Sequence, residues 1–287
     1  MIENAVVLYQ KIQNIFVIPK ELGISYCTDI EKKKRATIRE LLSNPVMKNW
    51  RELSVYGKKI SSEDLKMIMD TATLRRHFEL KVEEMPLDFK HENAFKFASQ
   101  DYHDARWVQI EDLYGLKNSI NVTLLRSNFN QEQIKTFINH WVNSEVDMFW
   151  WMRIETNDIT NFESLVDGFQ GLRCEKLISN DFFMLLKTTS SSRKKTMLTI
   201  SCHRNNLLLT AWAKNENYQP FSYEKINKIF RNLKEILTKL HKKKELEDLW
   251  KVGSEEEKID LKAKIEDVIA ELKKLKVEFR NEKAWLI

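Results

Sequence analysis

Apolar and polar residues follow two alternating periods along this chain, and each change of period marks an element. Val6, Leu8, Tyr9, Ile12, Ile15 and Phe16 are spaced as on one helical face, which Pro19 stops. Leu22–Cys27 reads as a short strand. Asp29 is placed to cap a helix over Ile30–Leu42, which ends before Ser43-Asn44-Pro45. From there short strands and short helices take turns. Leu53–Tyr56 is a strand ending at Gly57. Ser61-Ser62-Glu63-Asp64 caps a helix whose apolar side is Leu65, Ile68 and Met69. Phe78, Leu80 and Val82 alternate with charge, as in a half-buried strand. Ala94–Ala98 is a further strand, and Trp107–Leu116 a short helix with Trp107, Ile110, Leu113 and Tyr114 on one side.

The fullest pattern lies at Asn118–Glu155. Branched apolar residues at Ile120–Leu125 predict a strand. Gln131–Val142 then places Ile134, Phe137, Ile138, Trp141 and Val142 on one buried helical face, and Phe149–Ile154 returns to a strand. Asn161 caps Phe162–Phe169. The strand–helix rhythm recurs at intervals of about 25–30 residues, close to a leucine-rich repeat. Near residue 181 it gives way to three strands, Phe182–Lys187, Met197–Ser201 and Leu207–Ala213, joined by polar turns as in an antiparallel meander. From Tyr223 the chain reads as helix. Ser254 starts a second helix with Glu255, Glu256 and Glu257 at its positive end. Leu261, Ile265, Val268, Leu272, Leu275 and Phe279 form a heptad seam, so the two helices are expected to fold back as a hairpin, coiled-coil fashion.

The expected fold is therefore α/β. Degenerate leucine-rich-repeat-like β-α units form a curved, mainly parallel sheet, followed by the meander and an α-helical hairpin. A closed doubly wound sheet is the alternative. Residues 1–217 make one recognition domain, with the meander at 181–217, and residues 221–287 make the hairpin extension.

Composition narrows this picture. Six Gly and four Pro argue against a turn-rich all-β chain, and 43% hydrophobic with 31% charged residues is the balance of a folded one. The 47 basic and 42 acidic residues leave a net charge of +5 of mixed sign, which argues against nucleic acid as partner. The basic run Lys32–Arg35 reads as an exposed helix face. Cys27, Cys174 and Cys202 are an odd, widely spaced set, which argues against disulfides and zinc. No apolar run spans a membrane, and the N-terminus is not a signal peptide, so a cytoplasmic or nuclear protein is expected.

Phosphate-cradling glycine loops, the nucleophile elbow and the paired-histidine zinc motif are absent. Cys202 and His203 are neighbours on a strand, hence on opposite faces. No catalytic, cofactor or metal residue is assigned, and the chain is expected not to be an enzyme. Trp150 and Trp151 likewise point to opposite faces, one inward and one outward.

Ile120, Leu124, Ser127, Asn128, Phe129, Asn130, Ile134, Phe137, Ile138, His140 and Trp141 carry a resemblance. The strand, Ser-Asn turn, polar cap and Trp-closed helix look like the hallmark of the F-box-associated domain (type 2) of the nematode F-box family. Trp107, Ile110, Leu113 and Leu116, with Ser61, Glu63, Asp64 and Leu65, resemble earlier segments of that family. Val142-Asn143-Ser144 stands where the family carries a Gly, and no F-box core precedes Ala5. The resemblance implies a substrate receptor of a cullin-type ubiquitin ligase that binds a target protein without chemistry of its own. It implies a cullin adaptor as partner only if an F-box stands upstream. Trp107, Tyr114, Trp150 and Trp151 are the candidate contacts. An F-box-less scaffold or decoy, self-associating or binding a partner through the hairpin, is the alternative.

Overall fold

Strands form where the alternation is strictest, and one-sided burial is the reason. In the computed structural model, which describes residues 2–15, 22–30, 36–156, 161–177, 180–186, 193–213 and 232–287, the chain divides into two compact units. The first is Met1–Asn130 with Trp151–Asn157; the second is Gln131–Trp150 with Asp158–Ile287.

The first unit holds α1 (Ile2–Ile15), β1 (Leu22–Cys27), α2 (Ile38–Ser43), β2 (Trp50–Lys59), α3 (Ser62–Met69), β3 (His77–Glu84), β4 (Ser99–Tyr102), a 3-10 turn (Ile110–Gly115), β5 (Ser119–Leu124) and the greater part of β6 (Phe149–Glu155). The strands stand in chain order, β1 to β6, and the pairs from β1 to β5 are all parallel. A doubly wound sheet would reverse its order part-way; this one does not. Leu53, Val55, Phe78, Leu80, Val82, Tyr102, Val122 and Leu124 are buried from the strands, as are Leu65, Ile68 and Met69 of α3. Ser61 caps α3 by accepting from the Asp64 N–H at 3.1 Å.

Several expected boundaries shift. The helix over Ile30–Leu42 is only Ile38–Ser43. Thr37, boxed with Glu40, caps it. Asp29 instead accepts from the Lys58 N–H at 2.9 Å, and Lys32–Arg35 lies outside the described residues. Gly57 does not end its strand: it sits inside β2 at φ +138, where a Cβ would meet the Thr28 hydroxyl. The strand expected at Ala94–Ala98 is irregular backbone, and the real strand begins at Ser99. Phe95 and Phe97 are buried from that loop, which produced the strand-like signal. The Trp107–Leu116 helix is reduced to its 3-10 turn.

The second unit holds α4 (Gln131–Asn143), α5 (Phe162–Val166), β7 (Gly171–Leu177), β8 (Asn180–Leu186), β9 (Lys195–His203), β10 (Asn206–Ala213), α6 (Leu233–Val252), α7 (Glu255–Lys274), β11 (Val277–Arg280) and β12 (Lys283–Leu286). Its strand order is β10-β9-β8-β7-β12-β11. The meander is antiparallel as expected, while β12 joins β7 in parallel. The chain is thus α/β with twelve described strands of mixed pairing.

The expected boundary at 217–221 falls outside the described residues, and the hairpin shares a core with the meander. Leu233, Ile236, Leu237 and Leu240 of α6 and Val268 and Leu272 of α7 cluster with Leu172, Met184, Met197 and Trp212. The heptad seam is shorter than its sequence suggests. Val268 and Leu272 are buried and Leu261 and Ile265 half-buried, but Leu275 is the C-cap and Phe279 lies on β11. The closing β-hairpin was hidden because Asn281 and Glu282, at φ 48 and 63, form a tight turn without glycine. No helix among the described residues is long and apolar enough to cross a membrane.

Candidate functional site

Parallel register fixes which side chains share a face. Ser25, Ser54, Glu79, Asp101 and Thr123 form one row across β1 to β5. Gly23, Glu52, His77, Ser99 and Asn121 form the next, and Cys27, Tyr56 and Lys81 a third. Each of these residues is opposite in pleat to the buried set Leu53, Val55, Phe78, Leu80, Val122 and Leu124. The unit therefore has an apolar side and a polar side. On the polar side Tyr56 is 43% exposed, and Ser54, His77, Glu79, Asp101, His103 and Asn121 are half-buried.

The centre of that side is a charged knot. Ser54 Oγ donates to Glu79 Oε2 at 2.8 Å, and Lys81 Nζ lies 2.6 Å from Glu79 Oε1. Burial alone would raise the Glu79 carboxyl, but these two bonds hold it below the ordinary carboxylate range. One strand away the balance is opposite. Burial pushes the Asp101 carboxyl up against the pull of His103, whose Nε2 is 3.6 Å from Asp101 Oδ1. Asp101 Oδ1 and Asn121 Oδ1 are both buried atoms with no hydrogen-bond partner in the protein. Both oxygens lie beneath the half-open face, closed off by the side chains around them.

Glu79, Asp101 and His103 also bring three donor atoms within 4.8 Å of one another. They could hold a metal ion only if Lys81 left Glu79, so the ammonium already fills the role a cation would take.

A second knot fastens the strand ends. The Asp104 side chain is fully buried, accepts the Met85 N–H at 3.0 Å and takes a two-pronged bond from Arg106 at 2.7 Å on each oxygen. Arg126, at φ 52, donates to the His103 and Glu83 carbonyls at 3.0 and 2.6 Å. This is structural wiring for the rims of β3, β4 and β5.

The four aromatic residues singled out from the sequence fall in different places. Trp107 is 3% exposed and packs edge-on against Tyr102 and Phe89, so its ring belongs to the core and is not a contact. Tyr114 is half-buried in the 3-10 turn. Trp150 belongs to the second unit, 38% exposed, with Lys195 Nζ 5.9 Å from its ring. Trp151 is half-buried and alternates with buried Met152 and Ile154. Arg153, in phase with it, acts on Asp101 electrostatically, which puts both on the polar side. Neither tryptophan of the pair is in the core, contrary to the expectation of one inward and one outward ring. The buried residues of β6 are Phe149, Met152 and Ile154.

Sequence reasoning missed Tyr56, Glu79, Lys81, Asp101 and His103. The alternation in His77–Glu84 did carry the signal for Glu79 and Lys81. Asp101 and His103 were invisible because their strand had been placed five residues early.

Comparison of the chain with family models, curated proteins and solved structures finds no match.

Proposed function

We propose that this chain is a protein-recognition module and that it meets its target through the polar side of the β1–β6 sheet. The observation that carries the reading is the two-sidedness of that sheet. One side is closed by its own core, while the other is left half-open, with Tyr56 and Trp151 flanking a charged centre. A surface with aromatic anchors and mixed charge suits a protein target. Chain-order parallel strands joined by short helices are also how a degenerate leucine-rich-repeat-like stack of gentle curvature would be built, and such stacks bind along the strand side.

The resemblance to F-box-associated domains supports a role for this module in a cullin-type ubiquitin ligase, presenting a target for modification. A cullin adaptor would be a partner only if an F-box stands upstream. Affinity capture with the wild-type chain and with a Tyr56→Ala/Trp151→Ala variant tests the reading. A target retained by the first and lost by the second supports it. The same set of proteins captured equally by both would refute it.

A further inference from the structure

The far end of the α6–α7 hairpin leaves apolar surface uncovered. Leu249 is 55% exposed, Trp250 42%, Val252 82% and Ile259 75%, while the near end is sealed in the core with β7 and β8. Contacts between the helices fix their levels. Lys239 Nζ reaches Glu271 Oε2 at 2.6 Å, and Lys258 Nζ lies 5.9 Å over the Trp250 ring. At this level Ile259 stands beside Leu249 and Trp250, and the acidic run Glu255-Glu256-Glu257 stands beside the last turn of α6. The basic run Lys242-Lys243-Lys244 lies further back, about 14 Å from Val252 at the helical rise. The apolar residues sit between a basic block and an acidic one.

We propose that the uncovered surface is a self-association site, occupied by the same surface of a second copy of this chain. Two hairpins laid side by side in opposite directions, with the two-fold axis at the level of Leu249, bring their apolar patches together. The same placement sets Lys242 and Lys244 of each copy against Glu255 and Glu256 of the other, so the interface is isologous and complementary to itself. A parallel arrangement would set like charges together, and the pattern opposes it. Lys244 also pairs with Asp248 on its own helix, but exposed pairs of that kind exchange partners readily, whereas Lys243 is held against Glu247 and the Phe279 ring and is not presented. The site is independent of the polar sheet side.

Sedimentation of the full chain tests the inference, at concentrations up to about 100 µM, where a micromolar contact is filled. Wild type is expected at twice its 34.2 kDa mass, shifting toward monomer with added salt and with Leu249→Glu. A Lys242→Glu/Lys244→Glu variant and a Glu255→Lys/Glu256→Lys variant should each be monomeric alone. Mixed one to one, they should regain the dimer mass, which misfolded variants could not do. A wild-type monomer throughout the range overturns the proposal. So does a dimer that survives Leu249→Glu and both charge reversals, or a mixture that stays monomeric.

Discussion

The Arg193 guanidinium lies 3.8 Å over the ring of Trp141 and donates to the carbonyl of that same residue at 2.6 Å. It reaches Ser144 O at 3.2 Å and Lys195 O at 2.7 Å as well. A buried cation thus closes the C-terminus of α4, where the helix carbonyls and the dipole favour positive charge. Asp147 completes the arrangement by accepting the Lys194 and Lys195 N–H groups at 3.1 and 2.8 Å. Burial lowers the Arg193 pKa to about 10, so the group stays charged at neutral pH.

Removing that cation leaves carbonyls and a ring face without their partner. Arg193→Ala is expected to cost about 3 kcal/mol of unfolding free energy, in the range for a lost buried charged hydrogen-bond network. Arg193→Lys should recover less than half, because an ammonium lacks the planar fork. Urea denaturation followed by tryptophan fluorescence measures both. Wild-type stability in the alanine variant would show that the contact is incidental.

Asp104 predicts an acid response. Burial favours its neutral form, yet the Arg106 fork, the Met85 N–H and the charges of Arg106 and Arg126 together hold its pKa below the ordinary value. A carboxylate depressed in the fold contributes stability above its unfolded pKa of about 3.9 and loses it as pH falls from there through the folded value. Asp104→Asn should therefore destabilise by about 3 kcal/mol at pH 7. The gap from wild type should narrow as pH falls below ~4, because the unfolded chain then takes up a proton that the folded carboxylate still refuses. Thermal melts across pH 2.5–7 resolve this, and a gap that stays constant would contradict it.

Asp101 predicts the reverse sign. Its pKa is raised, first by burial, so its contribution is fully present below the unfolded pKa and is lost as pH rises through the folded one. Burial beside Glu79 makes the ionised form of this group costly on the polar sheet side. Asp101→Asn should leave the fold slightly more stable at pH 7 and no different at pH ~3, below the unfolded pKa. If the same variant binds the target less well, stability has been given up for recognition at this position. A destabilised variant at pH 7 would count against that role.

These residues also show how far the sequence could be read. The alternation Phe78–Leu80–Val82 and the cap at Ser61 were legible because period and cap are local properties. Strands near 53, 78, 120 and 149 fell where expected for the same reason. The polar face needed register across five strands, and register is a property of pairing, not of any one segment. Gln100 and Tyr102 on the buried side of β4 disguised that strand as a loop. Phe279 extended a seven-residue spacing past the end of its helix, because spacing alone does not see the left-handed turn at Lys276. Arg193 lay in a stretch that reads only as a polar turn, and nothing local marks it as the partner of Trp141.

The central claim is that the polar sheet side, and not the aromatic core beneath it, contacts the target. The most direct measurement is the affinity of a captured target for wild type against a Tyr56→Ala/Lys81→Ala/Trp151→Ala variant, with melting curves run in parallel. Residues on this side are half-exposed, so the melting temperature should move little. Loss of two aromatic anchors should weaken binding by about 2 kcal/mol or more, roughly thirtyfold. Unchanged affinity in a normally folded variant would contradict the account.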